Sequence, residues 1–248
     1  MDKSEREIKL SVCIPALNEE KALEEAVQDL SHTLRPVLDK LEIIIVNDGS
    51  QDSTGRIAEK LAKESSEVKV IHHSQKKGLG VCYKDALRIA GGDYFTWFPG
   101  DHENSAAELL DALGYLEENT AVTTHHVGSD TRSLFRIFLS RTYTFIINTV
   151  FGLKVKYYNG LTILPTTTAK SFDIVSDGFT WSAENLIRAI KSGCRLIELS
   201  APLQSREGGS SKALTPASVK QMLKDVWRII LNRKNFLFLF TSYIFKIL

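Results

Sequence analysis

Four stretches of the 248-residue chain concentrate side chains that bind cations, hydroxyl groups or anions. Residues 15–20 (PALNEE), 47–52 (NDGSQD) and 99–104 (PGDHEN) each mix carboxylates with amides, an oxygen-rich set suited to hard divalent cations and to polyols. Residues 206–212 (REGGSSK) place a guanidinium, hydroxyls and an ammonium in a glycine-rich background. Those donors suit an anionic phosphate. Each of the first three stretches directly follows a short apolar run, so its use depends on what those runs form.

Residues 10–14 read as an apolar strand that stops at Pro15, and residues 18–34 as a helix with Leu23, Ala26, Val27 and Leu30 on one face. Residues 41–46 are nearly continuous Ile and Val, the pattern of a strand buried on both faces of a parallel sheet. Asp52 or Ser53 then caps a helix running to about Lys63. Residues 68–71 are a third strand, and Gly78-Leu79-Gly80 opens a helix closed by Gly91-Gly92. Residues 94–98 are a fourth strand, stopped by Pro99-Gly100. This alternation predicts right-handed crossovers and a doubly wound, mostly parallel α/β sheet, with ligands at the carboxyl ends of its strands. The first three polar stretches then share one edge. After Val122 the rhythm changes to an aromatic, basic helix at 133–153, a weak strand at 161–164, a helix at 182–192 and a strand at 195–199. The predicted organisation is one domain, 1–215, and a C-terminal amphipathic helical segment, 216–248.

With 31 Lys+Arg against 30 Asp+Glu, the formal charge of +1 argues against a nucleic-acid binder. Cys13, Cys82 and Cys194 lie far apart and match no metal spacing, which suggests buried thiols in a reducing compartment. His72-His73 and His125-His126 sit at strand ends with side chains on opposite faces, as bystanders rather than a zinc site. The N-terminus is charged rather than apolar, so a secretory signal is not expected, and no apolar run is long enough to span a bilayer.

SVCIPALNEE (11–20), IIVNDGS (44–50), KKGLG (76–80) and GDY (92–94), in that order, resemble the inverting family 2 glycosyltransferases. REGGSSK (206–212) resembles the Arg-x-x-Gly-x-Ser-Lys loop of the polyprenyl-phosphate sugar synthases, the dolichol-phosphate mannosyltransferase group. The resemblance covers roughly residues 9–212. It implies a GT-A fold, a UDP- or GDP-linked sugar donor, a divalent Mg2+ or Mn2+ and inverting transfer of a hexose to a dolichyl or undecaprenyl phosphate. Pro15, Ala16, Asn18, Glu19, Asn47, Asp48, Gly78 and Gly100 fall at its nucleotide positions. Asp101 matches the second aspartate of its Asp-x-Asp metal motif, Pro99 stands where the first belongs, and Glu103 matches a position often filled by Gln. Asp101 and Glu103 are thereby the implied metal ligands and, with Arg206, the implied catalytic residues. The plainer alternative is that both carboxylates cap a helix beginning near Ser105. Arg132, Arg136, Arg141, Arg206, Ser211 and Lys212 are the implied acceptor-phosphate residues. Asn47 and Lys76 depart from the family's usual Asp and Asn. Glu184 has three readings: a sugar ligand, an orienter of a basic residue, or a buried ion pair.

Two rival readings remain open: the same fold with a soluble or glycan acceptor, and a catalytically inactive nucleotide-sugar-binding module, which the loss of an aspartate to Pro99 motivates. From Arg206 onward the chain carries 8 Lys+Arg and 2 Asp+Glu, a local charge of +6, against −5 for the first 205 residues. With Trp227 and the apolar run from Phe236, this predicts a peripheral element on the cytoplasmic face of an anionic membrane. The alternative partner for that segment is a second copy, as a homodimer.

Overall fold

The computed structural model describes residues 7–102, 104–127, 134–178 and 180–202, together with Lys224, Trp227 and Arg228. Glu103, Arg132, Arg206, Ser211, Lys212 and nearly all of the predicted C-terminal helical segment lie outside the described residues.

The elements are β1 (Lys9–Ala16), α1 (Leu23–Leu34), β2 (Lys40–Asn47), α2 (Thr54–Glu64), β3 (Val68–His72), α3 (Leu79–Ile89), β4 (Tyr94–Trp97), α4 (Ala106–Leu113), β5 (Thr120–Val127), α5 (Leu134–Phe151), β6 (Thr162–Pro165), α6 (Thr166–Lys170), α7 (Trp181–Lys191) and β7 (Arg195–Pro202). They build one seven-stranded sheet in the order β3-β2-β1-β4-β6-β5-β7. Strand β6 runs against both neighbours, and every other pairing is parallel. The doubly wound, mostly parallel α/β expectation holds.

Strand parity divides the apolar runs between two cores, since successive side chains point to opposite faces. Leu41, Ile43 and Ile45 of β2 join Leu10, Val12 and Ile14 of β1 beneath α1, α2 and α4. Ile44 and Val46 join Cys13 on the other face, under α3, α5, α6 and α7. The unbroken Ile/Val run is therefore one strand serving two layers.

Two boundaries and two elements differ from expectation for identifiable reasons. Strand β1 continues through Pro15 to Ala16. The Cys13 carbonyl accepts from Phe98 and the Ala16 carbonyl from Asp48, so residues 13 and 15 turn their backbone groups toward β4. Pairing with β4 ends at Cys13↔Trp97, so the missing N–H of Pro15 costs no ladder bond. Helix α1 begins at Leu23 rather than residue 18 because the amides of Asn18, Glu19 and Glu20 are bonded to the second loop. Strand β5, expected only as a strand end at His125-His126, runs over a TAVTTHHV sequence that lacks a clean apolar alternation, and the short α6 has no periodic signal.

At the amino edge of the sheet, Glu42 accepts from Ser11, Lys69 and the Gly91 amide while only 7% of its side chain is exposed. Burial alone would raise this carboxyl, but the Lys69 ammonium and the Ser11 and Gly91 donors hold it below the usual glutamate range. A depressed carboxyl contributes stability that is present above the unfolded-state value, about 4.3, and is lost as pH falls through the lower folded value. Glu42→Gln is therefore expected to cost about 1–2 kcal/mol at pH 7 and to flatten the acid limb of a urea-midpoint titration.

Candidate functional site

The carboxyl ends of β1, β2 and β4 bring the first three polar stretches to one edge. The first two are stapled together. Asn18, at φ 57, accepts from the Gln51 amide through its side chain (2.8 Å) and donates its own amide to Ser50 Oγ (3.0 Å). The Glu19 amide donates to Thr54 Oγ1 (2.8 Å), and Glu20 accepts from the Ser53 amide (3.0 Å). Asp52, one residue before the Ser53 N-cap of α2, accepts from the Thr54 amide (2.9 Å). Its burial acts upward, but the Thr54 hydroxyl and amide and the Glu20 amide prevail and hold the carboxyl below its ordinary range.

Asn47 and Asp48, expected beside the nucleotide, spend their polar atoms within the protein. Asn47 Oδ1 accepts from the Ser50 amide (3.2 Å) and Nδ2 meets His72 Nδ1 (3.0 Å). Asp48, with 5% of its side chain exposed, accepts from the amides of Lys77 (2.8 Å) and Gly78 (2.9 Å) and from His73 Nδ1 (2.7 Å). His73 Nε2 reaches Asp85 (3.1 Å) on α3. His73 thus bridges the two carboxylates through its two ring nitrogens. His72 and His73 do face opposite ways, but His73 is no bystander: it joins β3, α3 and the Asp48 turn. The only hint in the sequence is a polar residue at a strand end with inward parity. Gly49, at φ 74, lies where a Cβ would meet the Gln75 backbone at 2.5 Å, so the third βα loop, residues 73–78 between β3 and α3, rests directly on the turn. Asp48→Ala is expected to speed hydrogen exchange of the Lys77 and Gly78 amides by about ten- to a hundredfold, read by two-dimensional NMR.

Asp48, His73 and Cys82 bring one ligand atom each within 4.8 Å of one another, all buried. This group does not suit Mg2+ or Mn2+. Burial, reinforced by Asp48, pushes the Cys82 thiol well up and keeps it protonated, and the oxygens of Asp48 already receive N–H donors. Cys13 and Cys194 are also free and buried, their thiols raised by desolvation.

Asp101 sits half-buried in the β4–α4 turn, at the same edge. The α4 cap is Ser105, whose hydroxyl accepts from the Ala107 amide (3.2 Å), while Asp29 of α1 accepts from the Ala106 amide (2.8 Å). Those first-turn amides are thus taken by other residues, and the capping alternative does not describe Asp101. His102, at φ 54, turns back to Asp29 (3.1 Å). Gly100 lies against the Pro15 carbonyl, and Pro15 and Ala16 form the buried floor where β4 parts from β1. A single described carboxylate here fits a cation that draws its remaining oxygens from a diphosphate and water, the usual manner of Mg2+ binding.

Glu184 is fully buried and accepts from Arg188 Nε (2.8 Å) and Nη2 (2.7 Å), and from the amides of Val175 (3.1 Å) and Ser176 (2.9 Å). It is an ion-paired anchor for the 175–177 turn. The Asp177 carbonyl accepts from the Gly80 amide (3.0 Å), and a Cβ on Gly80 would stand 2.2 Å from the Ser176 carbonyl. Lys84 closes the contact onto Asp177 (2.8 Å). Tyr83, Phe95, Trp97 and Trp181 pack beneath it, with Tyr83 and Trp181 ring centres 4.3 Å apart. Of the expected acceptor residues, Arg141 is exposed on α5, and the side chain of Arg136 lies outside the described residues.

A model of Glycosyl transferase family 2 matches residues 11–179. Glycosyltransferase AglD of Haloferax volcanii is 24% identical over 236 residues, covering 90% of this chain and 38% of that protein. Dolichol-phosphate mannosyltransferase of Pyrococcus furiosus is 34% identical over 109 residues, 43% of this chain and 30% of that protein. The chain spans about a third of the length of the curated relatives it matches. The crystal structure of glucosyl-3-phosphoglycerate synthase from Mycobacterium tuberculosis with Mn2+, UDP and phosphoglyceric acid superposes with a TM-score of 0.65 at 17% identity, over 90% of this chain and 78% of that one. At that identity the likeness is one of fold.

Proposed function

Since the chain belongs to glycosyl transferase family 2, we propose that it moves one hexose, with inversion, from a UDP- or GDP-sugar to a polyprenyl phosphate. The observation that carries the reading is the convergence of the first two loops, the Asp48-held third loop and Asp101 on one carboxyl edge of the sheet. Ligands of open α/β sheets bind there. The lipid acceptor draws on the 206–212 motif and on the low-identity mannosyltransferase relative.

In this reading Pro15, Ala16, Asn18, Glu19 and Gly100 line the nucleotide crevice. Asn47 and Asp48 shape it, and Asp48 fixes Gly78 at its side. Asp101, with Glu103 as second carboxylate, would hold Mg2+ or Mn2+. When bound, such a cation neutralises the charge that the diphosphate gains as the glycosidic bond breaks. Arg206, Ser211 and Lys212, with Arg132, Arg136 and Arg141, hold the acceptor phosphate in line. That phosphate is an anion at neutral pH and attacks the anomeric carbon without surrendering a proton, so no tuned base is required. The C-terminal segment keeps the protein at the cytoplasmic face of a membrane, or pairs two copies. Among the described residues, no helix is long and apolar enough to cross a membrane.

Radiolabelled UDP- and GDP-sugars, incubated with the protein and polyprenyl phosphate, are expected to label an organic-extractable lipid, and chelator is expected to stop it. No transfer from any common donor overturns the reading. Label confined to an aqueous product points to a soluble acceptor.

A further inference from the structure

Helix α5 presents an outer face that the donor crevice does not use. Phe138 is 65% exposed, Phe145 71% and Ile146 43%, whereas the other described phenylalanines, Phe95, Phe98, Phe151 and Phe172, are buried. Seven residues make nearly two helical turns, so Phe138 and Phe145 share a stripe. Arg141 is exposed between them, three residues after one and four before the other. The opposite side is fixed: Ile147 and Phe151 enter the core, and Tyr143 packs edge-on to Tyr158 with centres 6.5 Å apart. Below the helix, Asn148 holds Val155 through both its amide and its carbonyl (3.0 and 2.9 Å), and the Tyr158 hydroxyl donates to Asn148 (2.8 Å).

The connection places this face. Because β6 runs antiparallel to β5, the chain leaves and re-enters the sheet at its carboxyl edge, the edge of the donor loops. The charge is one-sided as well. No acid occurs from residue 131 to 172, where Arg132, Arg136, Arg141, Lys154, Lys156 and Lys170 fall. Lys154 and Lys156, just beyond the helix, are exposed.

We propose that the outer face of α5 seats on an anionic bilayer, with Phe138, Phe145 and Ile146 entering the headgroup–acyl boundary and Arg141 meeting lipid phosphates. Aromatic side chains around a cation on a rigid helix match such a boundary, which supplies an apolar layer and fixed anions at adjacent depths. A second copy of the chain is a poorer match, because the centres of protein interfaces are depleted of charge. The proposal goes beyond the C-terminal segment and is independent of the acceptor's identity.

The test is co-sedimentation of the full chain with phosphatidylcholine vesicles, with and without phosphatidylglycerol, in the absence of any donor or acceptor. Wild type is expected to bind the anionic vesicles, and Phe138→Ser/Phe145→Ser to bind them at least about tenfold more weakly, with unchanged melting temperature and UDP binding. Phe145→Trp, an aromatic replacement, should retain binding and add fluorescence that brominated lipids quench. Unchanged binding by the double serine variant, or no added quenching with the tryptophan variant, overturns the proposal. So does a wild-type dimer that ignores vesicles and becomes monomeric in the double variant, which would assign the face to a second copy.

Discussion

Hexose transfer is expected to fall roughly 10²–10³-fold when Asp101 is replaced by alanine, the scale on which removing one aimed electrostatic group slows group transfer. Pro99 contributes no side-chain oxygen in place of the first motif aspartate, so the described part of the turn offers Asp101 as its carboxylate. Ser105 and Asp29, not Asp101, hold the first amides of α4, so the helix keeps its cap in the variant. Loss of rate with an intact fold and retained nucleotide binding separates a reaction role from a structural one. An equal, measurable transfer rate in Asp101→Ala and wild type would remove Asp101 from the reaction, and no transfer by either, with nucleotide still bound, would leave the catalytically inactive binding module as the better account. Asp101→Glu, which keeps the charge on a longer stem, should recover part of the rate.

Glu184→Ala is expected to act on the fold instead, costing about 3–5 kcal/mol, because it removes the carboxylate that pairs with the buried guanidinium of Arg188. The amides of Val175 and Ser176 lose their acceptor at the same time. In a chain of this size each kcal/mol moves the melting temperature by about 2–4 °C, so calorimetry should show a fall of roughly 6–20 °C. The joint variant Glu184→Leu/Arg188→Leu removes both charges and should recover much of that loss. A single alanine variant melting within a degree or two of wild type would mean that the pair contributes little. The 175–177 turn touches Gly80 and Lys84, so its loosening should also weaken UDP binding while the protein is still folded.

The donor half of the molecule was legible because its signals are local. The Ile/Val run of β2 declares a strand covered on both faces, and Gly78, at φ 104, opens α3 by its own backbone geometry, whereas α3 closes at an extended Ala90 rather than at the expected glycines. Where partners distant in sequence decide the outcome, the residue pattern misled or stayed silent. Helix α1 starts late because Ser50, Asp52 and Thr54, more than 30 positions away, claim the amides before it. Glu184 had three open readings until Arg188 and the 175–177 turn were seen around it. His73 looked idle because Asp48 and Asp85 meet it only once β2, β3 and α3 are assembled. Asn47 and Asp48 are expected beside the nucleotide by type and order, and their side chains bond Ser50, His72, His73 and the amides of Lys77 and Gly78, all partners that only the assembled fold supplies.

The single reversed strand, β6, has a bearing on how such a molecule can diversify. Elements joined by parallel crossovers are bound to one handedness and one layer, so changes in them must respect the whole sheet. The α5 segment hangs instead on an antiparallel return, where length and sequence are free to vary without re-threading any strand. The half proposed to hold the donor is thereby insulated from drift in the outer face of α5, and new surfaces can be tried on one without risking the other.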